Sequence, residues 1–470
     1  MHVSLSKLLF AGSLLAGCRC SDGPVPASTA GGSAGAVGAP DCQRSEARIT
    51  LLASGEPASA ALHSGARNSD AAPEPEPEID LPFSVEPGMA LELGGAFFAT
   101  ALRHEPHGNV ALLARLPHGV GPAAAVLELA RLGGDVPPPR LAVAGGDLLV
   151  AIEQIMGEPR SPSSGYRVRM ARLPAAALAG ALPPAESVQW HDGPSASRDE
   201  SNAFDFAAAA PGSALFTWDD WPPGESHGRV YVQTIAGDGR TGAPSAVSST
   251  LVDAEEPRLV ARPGGYWLAW LVDVASAQGR ARSYDPGEPE SAAAAGGGNV
   301  PANASANGAR GIEVLALDAA GQPAGNVRRI RTDSARVVGY DLTTNSAGNA
   351  WLVWRQDASS AGAAGGRVLM AEVRSDGPRE IVPVREEDVG SGEPTWLPPA
   401  SPGEQPWLTF PDQRDRTLLL HLADPQPAAT PLLLGADLQG AAALSAAARR
   451  VLFAQPRGRS LELFVAACAP

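Results

Sequence analysis

Gly264-Gly265-Tyr266-Trp267-Leu268-Ala269-Trp270-Leu271-Val272-Asp273 opens on a glycine turn, runs through large apolar and aromatic residues, and ends on an acid. The pattern returns as Gly348-Asn349-Ala350-Trp351-Leu352-Val353-Trp354-Arg355-Gln356-Asp357. A turn at glycine that opens into such a run reads as a strand. Looser copies bring the total to seven, which predicts a repeat architecture of small antiparallel sheets.

Working outward from each copy, a strand precedes it, a polar loop and a third strand follow it, and a hairpin usually leads to a fourth. The copies themselves are Ala96–Leu102, Asp147–Ile152, Ala214–Trp218, Tyr266–Val272, Ala350–Trp354, Pro406–Phe410 and Arg450–Ala454. Third strands are expected at Asn109–Leu116, Tyr166–Leu173, Arg229–Ile235, Gly311–Leu317, Arg367–Val373, Thr417–Leu422 and Ser460–Ala466. Turns such as Ala236-Gly237-Asp238-Gly239 and Ser375-Asp376-Gly377 supply the positive φ angles that hairpins need. Leu173–Leu182 is the one helix-like stretch, and prolines flank it.

Four short antiparallel strands recurring about every 45–55 residues resemble the blades of β-propellers. The resemblance covers residues 81–470 and implies an all-β, seven-bladed ring. Residues 275–309, rich in Gly, Ala and Asn, read as a disordered insertion within it. No subfamily is matched: the WD40, kelch and Asp-box signatures are missing from the sequence. The seventh unit has three strands before Pro470, which would leave an open sheet edge. Ala47–Ala53, an isolated apolar strand within residues 42–54, can close the ring as its outer strand. Cys42 precedes that strand and Cys468 follows the last one, so antiparallel pairing brings the two together. In an oxidising compartment they are expected to form a disulfide worth roughly 4–5 kcal/mol in the chain-entropy model.

The net charge of -15 disfavours nucleic acid and anionic membrane surfaces as partners. Lys7 is the single lysine, and it lies in the targeting segment. The rest of the chain therefore has no lysine for a Schiff base, a pyridoxal anchor or a phosphate loop. Residues 1–17 pair that lysine with a short apolar core, Leu8–Ala16, which is the pattern of a cleaved signal peptide. Leu15-Ala16-Gly17-Cys18 resembles the bacterial lipobox. The resemblance implies that Cys18 becomes the N-terminus and carries the lipid that holds the protein to a membrane of the cell envelope. Arg19, in place of aspartate, leans the expectation towards the outer membrane. Residues 18–41 read as a flexible tether and 55–80 as a low-complexity linker that ends in a Pro-Glu repeat. Gly31-Gly32-Ser33-Ala34-Gly35 matches the nucleophile elbow in letters, yet it lacks the strand and helix that the elbow requires.

In a propeller the loops leaving the second strands share one face with the blade-to-blade connectors. Second strands here exit into Glu153, Asp219-Asp220-Trp221, Asp273, Asp357 and Asp412. These predict an acidic rim that could meet a basic peptide, a glycan or a hard cation such as Ca2+. Capping of local turns by the same aspartates is the plainer reading. The innermost strands look bland apart from Arg140, Asp205, Arg258, Tyr340 and Asp341. That favours a binding or scaffold module over a polysaccharide hydrolase or lyase, which would concentrate mixed polar groups there. The tryptophans at 218, 267, 270, 351, 354 and 407 are expected in the core between blades, since they alternate along strands.

Overall fold

The structure is a computed structural model. It describes residues 42–52, 85–105, 108–118, 124–134, 136–156, 165–197, 203–210, 213–222, 224–225, 227–273, 310–330, 336–357, 366–374, 377–380, 392–397, 406–411, 417–421, 432–433, 441–447 and 449–468. The expectations for Cys18, the tether, the linker, Ser33 and the insertion at 275–309 lie outside the described residues.

Seven four-stranded antiparallel sheets make up the described chain. Blade 1 comprises Val85–Leu93, Ala96–Glu105, Gly108–Pro117 and Ala125–Leu132. Blade 2 comprises Arg140–Ala144, Asp147–Met156, Gly165–Leu173 and Trp190–Ser197. Blade 3 has Phe204–Ala210, Ser213–Asp220, Arg229–Ala236 and Ser245–Ala246. Blade 4 has Asp253–Arg262, Gly265–Asp273, Arg310–Asp318 and Arg328–Ile330. Blade 5 is built from Arg336–Thr344, Ala350–Asp357, Gly366–Arg374 and Gly377–Glu380. Blade 6 is the smallest, with Thr395–Leu397, Trp407–Pro411, Thr417–His421 and Leu432–Leu433. Blade 7 takes Ala442–Ala447, Arg450–Arg457 and Ser460–Cys468 from the end of the chain, and Cys42–Leu52 from near its start.

The first strand of each blade touches the first strand of the next, and the seventh returns to the first, so these strands form the hub of a closed β-propeller. The apolar core confirms the closure from outside the hub. It divides into seven clusters, one at each blade-to-blade joint. This explains the apolar runs that mark the repeat. Along Gly265–Asp273, Trp267, Ala269 and Leu271 pack towards blade 5, while Tyr266, Leu268, Trp270 and Val272 pack towards blade 3. A strand buried on both faces reads as continuous apolar sequence rather than alternation. All six tryptophans expected in the core are at most 6 % exposed. Gly264 supports the turn before this strand with φ +77°, and Gly348 does the same in blade 5.

The N-terminal strand closes the ring. It pairs antiparallel with Ser460–Cys468, in a register that sets Cys42 opposite Cys468, and the two form a disulfide. The expected helix is one short turn, Ala175–Leu178, before a single 3-10 turn at Ala185–Ser187.

Candidate functional site

Most inner strands carry a bulge, which lets the hub curve and re-aims side chains. In blade 4 the bulge falls between Glu255 and Arg258, and Glu256 there adopts a positive φ of 52°. Holding a glutamate in the left-handed region costs energy unless its surroundings fix it. Asp219 does so: its Oδ2 accepts the Glu256 backbone N–H at 2.9 Å, and its Oδ1 accepts the Ala203 N–H at 3.2 Å. Arg310 pairs with the side chains of both Glu255 and Glu256. Asp219→Ala, which strands two backbone donors and releases the bulge, should cost about 1–3 kcal/mol. Chemical denaturation measures this, with Asp219→Asn expected to lose less.

Just below this clamp lies a buried pair. Glu153 is 2 % exposed at the joint between blades 2 and 3. A cavity of about 20 Å³ separates it from Trp218, lined also by Tyr166, Phe204 and Asp219. That is room for one water molecule. Glu153 Oε1 and Trp218 Nε1 have no hydrogen-bond partner among the described residues. Burial, with the Asp219 charge nearby, pushes the Glu153 carboxyl up to about 8.

The hub assembles what looked scattered in sequence. Arg140 stands opposite Ala151, Asp205 opposite Thr217, Arg258 opposite Ala269 and Asp341 opposite Val353. Each partner lies mid-way along its second strand, so the four side chains occupy one level on four consecutive inner strands. Their charges alternate: Arg, Asp, Arg, Asp. Arg140 senses Asp205, Arg258 and Asp341 together, and burial lowers its pKa. For Arg258 burial also lowers, but Tyr340, Asp205, Asp341 and Glu256 outweigh it and hold the guanidinium above its ordinary value.

The two aspartates are anchored. Asp205 accepts the N–H of Phe206 and, across the joint, that of Leu259, both at 2.9 Å. Asp341 repeats this geometry two blades on, accepting Leu342 N–H at 2.8 Å and Trp396 N–H at 2.7 Å. Burial lifts the Asp341 carboxyl to about 6, against the pull of Arg258 and these two bonds. The arginines differ. Arg140 makes no direct hydrogen bond or ion pair among the described residues. Arg258 donates only to its neighbour's carbonyl, Pro257 O, at 3.2 Å, and lies over the Tyr340 ring at 5.8 Å. Both keep partial exposure to solvent.

Tyr340 is not available for acid–base work. Its hydroxyl sits 2.5 Å from Glu256 O and 2.9 Å from Ala269 O, and burial raises its pKa well above the ordinary phenol value. Tyr340→Phe should cost about 0.5–1.5 kcal/mol, measured by thermal or chemical unfolding. Beside it, Glu393 crosses over Gly339, where a Cβ would lie 2.5 Å from the glutamate's Cγ and Cδ. Crowding by the protein raises the Glu393 carboxyl despite its open side, with Arg258 and Arg355 opposing and Glu256 assisting.

The residues of the expected acidic rim separate in space and in role. Glu153 and Asp219 are each 2 % exposed and belong to the joint and the clamp just described. Asp220 is half-buried, opposite Arg229. Trp221 donates its indole N–H to Glu225 O at 2.7 Å. Asp273 is half-buried at its strand end, between Asp253 and Arg310 on the flanking strands. The backbone of Asp357 pairs with Arg336 and Gly366, its side chain lies outside the description, and Asp412 lies outside it altogether. Among the described residues no three His, Cys, Asp or Glu come together as a metal-binding group.

No protein-family model matches this chain, and no curated protein does. Among solved structures it is similar to polysaccharide lyase Uly1, with a TM-score of 0.53 at 9 % identity, over 90 % of this chain and 99 % of that one. It is also similar to the β-propeller domain of the Trilobed protease from Pyrococcus furiosus, with a TM-score of 0.45 at 9 % identity, over 81 % and 93 % of the two chains. For the alpha-L-arabinanase of Penicillium chrysogenum the TM-score is 0.38 at 13 % identity, over 70 % and 92 %. At these identities the likeness is one of fold.

Proposed function

We propose that this chain is a binding module of the bacterial cell envelope, anchored through lipid on Cys18, and that it meets its ligand on the face where the second strands exit. One observation supports recognition over catalysis. The hub presents two arginines without carboxylate partners in direct contact, while its two aspartates and its tyrosine are each anchored by hydrogen bonds. Asp205 and Asp341 hold backbone N–H groups, and the Tyr340 hydroxyl faces two carbonyls. Two anchoring bonds fix each carboxylate in place and leave it acceptor sites for a ligand's hydroxyls. Half-buried Asp220, Asp273 and Trp221, at the second-strand exits, would serve as contacts for the ligand's outer parts, and a protein or glycan partner fits them.

A thermal-shift screen of the purified protein tests the binding reading, using neutral and acidic oligosaccharides, basic peptides and calcium. The expected result is a saturable shift that Asp220→Asn with Asp273→Asn weakens. Absence of any shift across all four classes counts against it. The anchor is tested separately: Cys18→Ser should abolish incorporation of labelled palmitate and release the protein from the membrane fraction.

A second reading, an envelope polysaccharide hydrolase or lyase, draws on Glu393. A carboxyl that is held above its ordinary range and is open to solvent has the character of a general acid. New reducing ends or unsaturated sugar products, lost on Glu393→Gln, would favour this reading over the first.

A further inference from the structure

The hub layer specifies a ligand class. Going round blades 2 to 5, a guanidinium that only donates alternates with a carboxylate that only accepts. Each aspartate uses two of its acceptor sites on backbone N–H groups. An ionised carboxylate has about four such sites, so acceptor capacity remains for a ligand. Arg140 has all five of its donors unspent among the described residues, and Arg258 spends one on Pro257 O. Arg140 and Arg258 lie at one level of the hub, two blades apart, and Arg140 feels the charge of Arg258, so an oxyanion placed between them is favoured. The chain's overall charge and the acids around the hub argue against a polyanion, whose remaining charges would meet repulsion.

We infer that the hub binds a small polyhydroxy carboxylate, an acidic sugar whose single carboxylate lies between Arg140 and Arg258 and whose hydroxyls donate to Asp205 and Asp341. This rests on the binding reading above and adds the chemistry of the ligand. A neutral sugar satisfies the aspartates and leaves the arginines unpaired. A plain carboxylate does the reverse.

Lactobionate and lactitol make the test, because they differ in carboxylate against alcohol at one end. Titration calorimetry on the full protein should show saturable binding of lactobionate and none, or binding at least about tenfold weaker, of lactitol. Arg140→Gln and Arg258→Gln should each weaken lactobionate by about tenfold or more, and Arg140→Lys should weaken it less. Should a Gln variant fail to fold, the Lys variant and the salt dependence of wild-type binding carry the test. Equal binding of the two probes, or lactobionate binding that both Gln variants leave intact, overturns the inference but leaves a binding module in place. No lactobionate binding also overturns it. A response to a peptide with a free C-terminus and none to lactobionate would move the carboxylate's source to protein. Failure of every class in the thermal-shift screen is a different result, and removes the binding reading itself.

Discussion

With Cys42 and Cys468 both changed to serine, the folded chain is expected to lose about 2–5 kcal/mol of stability. The bond closes a sequence separation of 426 residues, so its removal frees the unfolded chain more than a short loop would. The native state loses something as well. Cys42 and Cys468 pack into the cluster between blades 6 and 7, and their strand pair is what joins the two ends of the ring. Chemical denaturation of the double variant, compared with wild type in the presence and absence of reductant, measures the effect. Reduced wild type should match the variant, whose own stability reductant should leave unchanged. If reductant leaves wild-type stability unchanged, closure rests on strand pairing alone. The Leu51 side of that strand, buried in the cluster between blades 7 and 1, would then have to supply the whole latch.

Glu153→Gln is expected to flatten the dependence of stability on pH. The carboxyl titrates at about 8 when folded, against 4.5 ordinarily, because it is buried and faces Asp219. Between those values the native state holds a proton that the unfolded state has released. Stability therefore falls as pH rises from about 4.5, and levels off above about 8. Asp341 contributes in the same direction over a narrower window, from its ordinary 3.8 up to about 6. The Glu153 contribution is on the order of a few kcal/mol at full ionisation, since each unit of displacement is worth about 1.4 kcal/mol. Glutamine keeps the shape and a donor for the water-sized cavity beside Trp218, but it cannot ionise. The variant should therefore match wild type near pH 5 and exceed it at pH 9, as measured by urea unfolding. Equal curves at both values would show Glu153 to be ionised already at neutral pH.

These two predictions come from opposite ends of what sequence can carry. The strand repeat, the count of seven, the N-terminal closing strand and the pairing of Cys42 with Cys468 were all legible, because they rest on local pattern and on the chain order that closing a ring imposes. Tyr266–Val272 is apolar throughout because both its faces are buried, and Cys42 and Cys468 lie at strand ends whose order follows from closing a ring. The acids at the strand exits were legible as residues but not in role. Asp219 accepts N–H groups from Ala203, in its own blade, and from Glu256, in the next one. No local pattern announces a partner 37 positions away. The hub was the least legible. Arg140, Asp205, Arg258 and Asp341 are isolated polar letters in otherwise bland strands, and only the radial stacking of blades sets them at one level. Sequence alone determined the architecture and its latch, because those follow from periodicity and chain order. Tertiary structure decided which charges share a site, because that depends on the register between strands and the spacing of blades around an axis.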